Sequence, residues 1–342
     1  MKYDLKQLID NDVPEQVTNF LNYLRTIRGT SENTIYNYKI ELCLFFRFMK
    51  LYYGKSKKED DFNDIYIGDV DISFIGNIKL EDLFAFLSFV ENYRGNGNYA
   101  RARKVATLKS FFKYLSVKAK VLIINPALEL ESPKIHGRNP VYLSLTESKS
   151  LLNVVDGENK ERDYCILMLF LNCGLRLSEL VGINISKIKD DTLSIIGKGN
   201  KERTVYLNEA CLQAILLYIP FRELKIKNIR SIEDKDALFL SRKNKRISKR
   251  TVEVLVKKYI KKANLDSTKY TPHKLRHTAA TLMYKYGNVD ILSLQQILGH
   301  ESVSTTQIYT HIDDEKLRQA VKSNPLNDKE VPENQSHSPH EQ

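Results

Sequence analysis

Thr271-Pro272-His273-Lys274-Leu275-Arg276-His277-Thr278 is the stretch on which the reading of this chain turns. A threonine able to cap, followed by a proline suited to the first helical position, predicts a helix that opens here and runs from Pro272 to Tyr286. His273 then falls in the opening turn, where the helix dipole favours anions and disfavours an imidazolium, so a neutral imidazole is expected. A spacing of three puts His273 and Arg276 on one helix face. A base and a fixed cation side by side suit a phosphate. His277, four residues after His273, reads as a packed structural histidine. Zinc helices also use a spacing of four, but no glutamate follows His273 as in H-E-x-x-H, so no metal is expected.

Working outward, three more segments concentrate polar groups where the flanking pattern is apolar. The first is Cys173-Gly174-Leu175-Arg176-Leu177-Ser178-Glu179-Leu180, which follows the apolar run ILMLFLNCGL, where a charge such as Arg176 needs a reason to be. Gly197-Lys198-Gly199-Asn200-Lys201-Glu202-Arg203 lies between two alternating runs, Leu193 to Ile196 and Thr204 to Leu207, which predicts a β-hairpin. The last is Leu298-Gly299-His300-Glu301-Ser302-Val303-Ser304-Thr305-Thr306-Gln307-Ile308-Tyr309-Thr310-His311. The glycine-rich turn lacks the spacing of a nucleotide-binding loop.

Together the four segments resemble the tyrosine recombinase family, which includes the phage integrases, and are most similar to its Xer-type site-specific recombinases. The resemblance covers residues 140 to 325 closely and the N-terminal helices more loosely. It implies a catalytic set of Arg176, Lys198, His273, Arg276, His300 and the nucleophile Tyr309, with Glu179 as a supporting carboxylate. The chemistry of these residues agrees. Attack on a phosphodiester builds negative charge on the non-bridging oxygens, and the planar forks of Arg176 and Arg276 are suited to clamp them. Lys198 at a hairpin turn can protonate the leaving 5′ oxygen, as can Lys201 three residues on. A phenol is a weak nucleophile at neutral pH, and surrounding cations lower the cost of ionising Tyr309. Glu179, one turn beyond Arg176, reads either as the acid that steadies the site or as an exposed surface acid.

The fold expected from this resemblance is mainly α with a small β-sheet: an N-terminal helical core-binding (SAM-like) domain over residues 1–125, a linker over 126–140 and a mixed α/β catalytic domain over 141–325. Residues 326–342 are polar, without an apolar stripe, and are expected to be disordered. The chain has 342 residues, 42 % of them apolar, enough for two cores. Apolar periodicity predicts helices from Asp12 to Gly29, from near Ser31 through Met49, from Leu80 to Tyr93 and from Asn98 to Lys118. Tyr53 to Asn77 is polar, broken by glycine, and reads as a loop or an elaboration. In the later half, helices are expected near Thr146 to Val155, Arg162 to Cys173, Glu209 to Ile219, Ser248 to Ala263, Asp290 to Leu298, Ser302 to His311 and Asp314 to Lys322. The last carries Leu317, Ala320 and Val321 at helical spacing, suited to docking on a neighbouring subunit or on its own.

A balance of 53 Lys plus Arg against 42 Asp plus Glu gives a net charge of +11, which favours a polyanionic partner. The helix from Asn98 presents Arg101, Arg103, Lys104 and Lys109 away from its apolar stripe. Either ordinary solvation or contact with DNA explains that face; Lys201 joins it as a candidate DNA contact. Cys43, Cys165, Cys173 and Cys211 form no CxxC pair and read as reduced core residues of a cytoplasmic protein. No apolar run approaches a membrane span.

The function implied is site-specific DNA recombination through a 3′-phosphotyrosyl intermediate, in Xer-like resolution of chromosome dimers or in integration and excision of a mobile element. That ester conserves the energy of the phosphodiester, so no cofactor is required. The partners implied are a double-stranded recombination site and a homo- or hetero-tetramer assembled on two duplexes. Two rivals share the fold or the nucleophile: a type IB topoisomerase, which relaxes DNA without exchange, and a non-catalytic DNA-binding regulator.

Overall fold

The computed structural model describes residues 12–56, 61–134, 140–197, 202–226, 231–287, 289–300, 302–306 and 309. Lys198, Lys201 and the segment from 310 onward, with its expected helix at 314–322, lie outside the described residues. The chain divides into two compact units, residues 1–137 and 138–342. Among the described residues no helix is long and apolar enough to cross a membrane.

Among its described residues the first unit has only helices: α1 (Glu15–Thr26), α2 (Glu32–Tyr52), α3 (Ile72–Gly76), α4 (Leu80–Asn92) and α5 (Asn98–Lys113), the last running on as a wider turn through Lys118. Pro14 occupies the cap position of α1, whereas Ser31 caps α2 by accepting from the Thr34 N–H. The predicted stripes of α1 and α2 meet in an aromatic core in which Phe45 stands edge-on to Phe86 at 5.1 Å and Phe46 to Phe111 at 5.8 Å. Each such ring contributes roughly 1.5–3 kcal/mol relative to exposure.

The stretch 53–77 is not merely a loop. Ile65, Ile67, Val70 and Ile75 are buried in the same core, and the Lys50 ammonium, buried on α2, donates to the Asp69 carboxylate and the Tyr66 carbonyl at 2.8 Å each. Its apolar residues are spaced irregularly around turns, so no period announces them.

Lys104 also departs from the sequence expectation. It is buried, and its ammonium sits 2.8 Å from the buried Glu41 carboxylate of α2. A lysine spent on an internal ion pair cannot be a DNA contact. Arg103 shares Glu41 at 2.6 Å but keeps 58 % of its side chain exposed. Arg101 pairs with Glu91, and Lys109 donates to the Leu130 carbonyl at 2.8 Å.

The second unit is built around α7 (Lys160–Cys173), which is buried from Cys165 through Leu171 and so has no polar face to give it an amphipathic signature. It packs against α9 (Glu209–Ile226) and α12 (Pro272–Tyr286). Between α7 and α9 lie α8 (Leu177–Val181) and an antiparallel sheet in the order β1 (Ile188–Lys189), β2 (Thr192–Ile196), β3 (Glu202–Tyr206). The hairpin register pairs Leu193 with Val205 and Ile196 with Glu202. Among the described residues the remaining elements are α6 (Leu145–Asn153), α10 (Ile232–Asp236), α11 (Lys249–Lys262), α13 (Ile291–Leu298) and short 3-10 turns at Ile185–Lys187 and Val303–Thr305. Helix α9 runs seven residues past its predicted end and carries Pro220 inside it, the residue that would ordinarily close a helix.

Candidate active site

Two left-handed glycines bring the scattered segments together. Gly174 ends α7 with φ +59°, and Gly299 ends α13 with φ +63°. A Cβ on Gly174 would come within 2.8 Å of Leu298 Cδ2, and one on Gly299 within 2.8 Å of the Arg203 Cδ and Nε atoms. Glycine is thus required twice over, for its conformation and for the close approach.

The C-terminus of α13 leaves carbonyls without helical partners, and cations are favoured there. Three arginines from three elements take three consecutive ones. Arg203 of β3 donates to the Ile297 carbonyl, Arg276 of α12 donates to the Leu298 carbonyl at 2.6 Å, and Arg176 donates to the Gly299 carbonyl at 2.7 Å. Arg276 also donates to the Gly174 carbonyl at 2.7 Å.

The same three guanidiniums converge on one carboxylate. Glu179 Oε1 accepts from Arg176 Nη1 at 2.7 Å; its Oε2 accepts from the Arg176 backbone N–H at 2.7 Å and from Arg203 Nη2 at 3.1 Å, and lies 3.7 Å from Arg276 Nη1. Glu179 is 3 % exposed, so it is no surface acid. Burial pushes its carboxyl up, but the Arg176 N–H, Arg203 and the Arg176 side chain together outweigh that and hold it below the usual carboxylate range. For Arg276, burial first and then the neighbouring Arg176 depress the guanidinium to about 10, still cationic at neutral pH.

Above this scaffold opens a cleft of about 500 Å³ bordered by Arg176, His273, Arg276 and His300, with Lys249, Glu253 and Thr271 among the other walls. Four of the six predicted catalytic residues therefore share one cavity. Pro272 opens α12 as predicted, although the Thr271 side chain makes no capping hydrogen bond. His273 is held below its usual range, first by burial and then by Lys274, Arg276 and Arg176. His300 is depressed to about 4 by burial and by Arg276 and Arg176; its Nδ1 lies 2.9 Å from the Thr306 hydroxyl. Both imidazoles are neutral near pH 7 and can donate to or accept from a phosphate oxygen. No group of three His, Cys, Asp or Glu able to hold a metal ion occurs among the described residues.

Tyr309 is placed differently from the expectation. It is 1 % exposed, packed with Ala280, Leu294 and Leu298, and does not border the cleft. Burial raises its phenol to about 12, and the one cation that opposes this, Arg276, does not offset it. The predicted easing of ionisation is therefore absent in this state, because desolvation outweighs the nearby charge.

The phenol touches His277, whose Nδ1 is 2.7 Å from Tyr309 Oη, so that histidine is not simply a packing residue. Sequence reasoning gave neither His277 nor Arg203 a contact within the site. His277 lay in plain view at the i+4 position of His273, on the face already assigned to chemistry. Arg203 stands at the end of the glycine-rich hairpin segment, but nothing in its spacing says that it reaches α13.

The sequence profile of the phage integrase family matches residues 142–316. The chain is 58 % identical over 313 residues to tyrosine recombinase XerC of Caldanaerobacter subterraneus, covering 92 % of this chain and 87 % of that protein. It is 35 % identical over 317 residues to tyrosine recombinase XerC of Thermodesulfovibrio yellowstonii, with 91 % and 96 % covered. Among solved structures it is similar in fold to XerH site-specific recombinase bound to a palindromic difH substrate, with a TM-score of 0.67, 21 % identity, and 92 % and 98 % of the two chains covered. The Tn1549 transposon integrase in complex with a circular intermediate DNA aligns with a TM-score of 0.65 at 18 % identity, with 90 % and 98 % covered.

Proposed function

The chain belongs to the phage integrase family and is a tyrosine site-specific recombinase, and from that premise we propose that Tyr309 cuts one DNA strand and holds the 3′ end as a phosphotyrosyl ester. Another strand's 5′ hydroxyl then displaces the tyrosine. The observation that carries this assignment is the convergence of Arg176, Arg276, His273 and His300 on one cleft, with both arginines held by the buried Glu179 carboxylate. The two guanidiniums bind the non-bridging oxygens as they gain charge, and the neutral imidazoles hydrogen-bond to them. Lys198, which falls between β2 and β3 in the sequence, delivers the proton to the leaving 5′ oxygen. No cofactor takes part, since each transesterification exchanges one phosphodiester for another.

The first unit, spanning the core-binding domain expected over residues 1–125, grips the duplex, with exposed Arg103 as a phosphate contact. Relatives named XerC support an Xer-type role, in which four protomers act on two site-bearing duplexes. The test is incubation of the wild type and Tyr309→Phe with a nicked suicide duplex that carries a candidate site. Covalent adducts on denaturing gels are expected for the wild type alone. Tyr309→Phe is expected to bind DNA within about twofold of the wild type, because phosphate contacts dominate such an interface. Adducts formed by Tyr309→Phe would refute the assignment.

A further inference from the structure

Two imidazoles stand in line between the buried phenol and the cleft. Tyr309 Oη is 2.7 Å from His277 Nδ1, and His277 Nε2 is 3.1 Å from His273 Nε2. The two rings meet edge-on, their centroids 4.5 Å apart at 73°, as i,i+4 neighbours on α12. His273 borders the cleft; His277 and Tyr309 do not.

The proton positions along this line follow from the buried phenol at one end and the short contact between the rings, with His273 exposed at the other. Among the described residues Tyr309 Oη has no hydrogen-bond partner besides His277, and a buried hydroxyl proton needs an acceptor. The phenol therefore donates to His277 Nδ1. That leaves the His277 proton on Nε2, where it donates to the bare Nε2 of His273, whose own proton is on Nδ1. This set of tautomers satisfies the buried phenol and uses the contact between the rings.

We infer that His277 is a catalytic base for Tyr309 and passes the proton on to His273, so that the two histidines form a relay from the nucleophile to the cleft. The inference rests on Tyr309 being the nucleophile. As Tyr309 leaves its buried place to bond through Oη to the phosphorus in the cleft, it yields the phenolic proton to His277 Nδ1, and the Nε2 proton of His277 moves to His273 Nε2. The bond from phosphorus to the 5′ oxygen breaks, and that oxygen takes its proton from Lys198, the acid assigned above. His277 ends neutral as the opposite tautomer, and His273 ends as an imidazolium beside the cleft. On religation the same protons run back.

A relay is needed because His277 alone would be a poor base. Burial first, then His273, Lys274, Arg276 and His300, depress it to about 4, while burial holds the phenol near 12. A proton that stopped on His277 would be trapped among cations. His273 faces Lys274, Arg276 and Arg176 but borders the cleft, where the charge developing on the phosphate stabilises its imidazolium. No carboxylate is among the groups acting on either ring, so both begin neutral at physiological pH.

Single-turnover cleavage of a nicked suicide duplex, followed from about pH 5 to about pH 9, tests the relay with His277→Ala and His277→Asn. His277→Ala is expected to retain DNA binding and to cleave about 10²–10⁴-fold more slowly near neutral pH. The deficit should shrink as pH rises, because hydroxide replaces the missing base, and free imidazole should restore part of the rate. His277→Asn can still accept the phenol hydrogen bond through Oδ1 but cannot carry the proton; it is expected to be as slow as His277→Ala. Asparagine at the wild-type rate would reduce the contact to positioning and overturn the relay. So would cleavage faster than the wild type, which would make His277 a restraint on the phenol, or a deficit constant across pH. Loss of DNA binding by both variants would assign His277 to packing and overturn the relay as well. Adducts formed by Tyr309→Phe in the same assay would instead remove the underlying premise.

Discussion

Glu179→Gln isolates what one buried charge contributes to the site. The carboxylate takes four contacts with two oxygens, three of them from Arg176 and Arg203 and the fourth a 3.7 Å approach by Arg276. A glutamine has one oxygen. Set at the Oε2 position, it retains the Arg176 N–H and Arg203 but turns its amide protons on Arg176 Nη1. Set the other way, it faces two guanidiniums with donors. One charge-assisted hydrogen bond, about 1.5–3 kcal/mol, is lost in the better case, and three guanidiniums are left without their shared counter-charge. The cost expected for breaking a buried ionic cluster is about 3–5 kcal/mol.

At 2–4 °C per kcal/mol for a unit of this size, that is a fall in Tm of roughly 6–20 °C, read by calorimetry. Cleavage should fall about 10²–10³-fold, because both arginine forks lose the anchor that sets their direction. DNA binding should hold or tighten, since a phosphate can take the place of the missing charge. The pH dependence has a definite sign. The folded-state pKa of Glu179 lies below its ordinary value of 4.5, so its stabilisation is full above that value and is lost as pH falls through the lowered one. The gap in stability between wild type and Glu179→Gln should therefore close on acidification. A variant within about 2 °C in Tm and within about threefold in cleavage would refute the claim that this carboxylate organises the arginines.

Arg203→Lys should cleave as poorly as Arg203→Ala, because an ammonium cannot span Glu179 and the Ile297 carbonyl together; single-turnover rates decide it. Gly299→Ala forces an L-residue to φ +63° against Arg203 and should lower stability by about 1–3 kcal/mol in denaturant titrations. In the first unit, Glu41→Ala strands the buried Lys104 and should cost about 3–5 kcal/mol, whereas replacing Glu41 and Lys104 together with methionine should be far milder. His277 and His300 both titrate near 4 when folded and near 6.5 when unfolded. The unfolded chain then binds protons first, so the denaturation midpoint should rise between about pH 4 and about pH 6.5 and level off above it.

The longer helices, the hairpin and four side chains that share the cleft were legible in the sequence, because each rests on near neighbours. Apolar periodicity is a local property, and so are a proline that opens α12 and a histidine three residues from an arginine. The stretch 53–77 escaped because its buried isoleucines follow turns and have no period. Lys104 escaped because a charge on a helix reads as solvated until a carboxylate from another helix is seen beside it.

What only the tertiary structure decided is who holds whom. Arg176 reaches a carbonyl 123 residues away, and Arg276 one 102 residues away; no spacing rule extends that far. The three-arginine clamp on the end of α13, the burial of Glu179 and the meeting of the phenol with His277 all depend on which helix ends face one another. Sequence pattern supplies the kinds of groups because propensity and period act over a few residues. Partners, and with them protonation and reactivity, are set by desolvation and by charges that only the packed chain brings within a few ångströms.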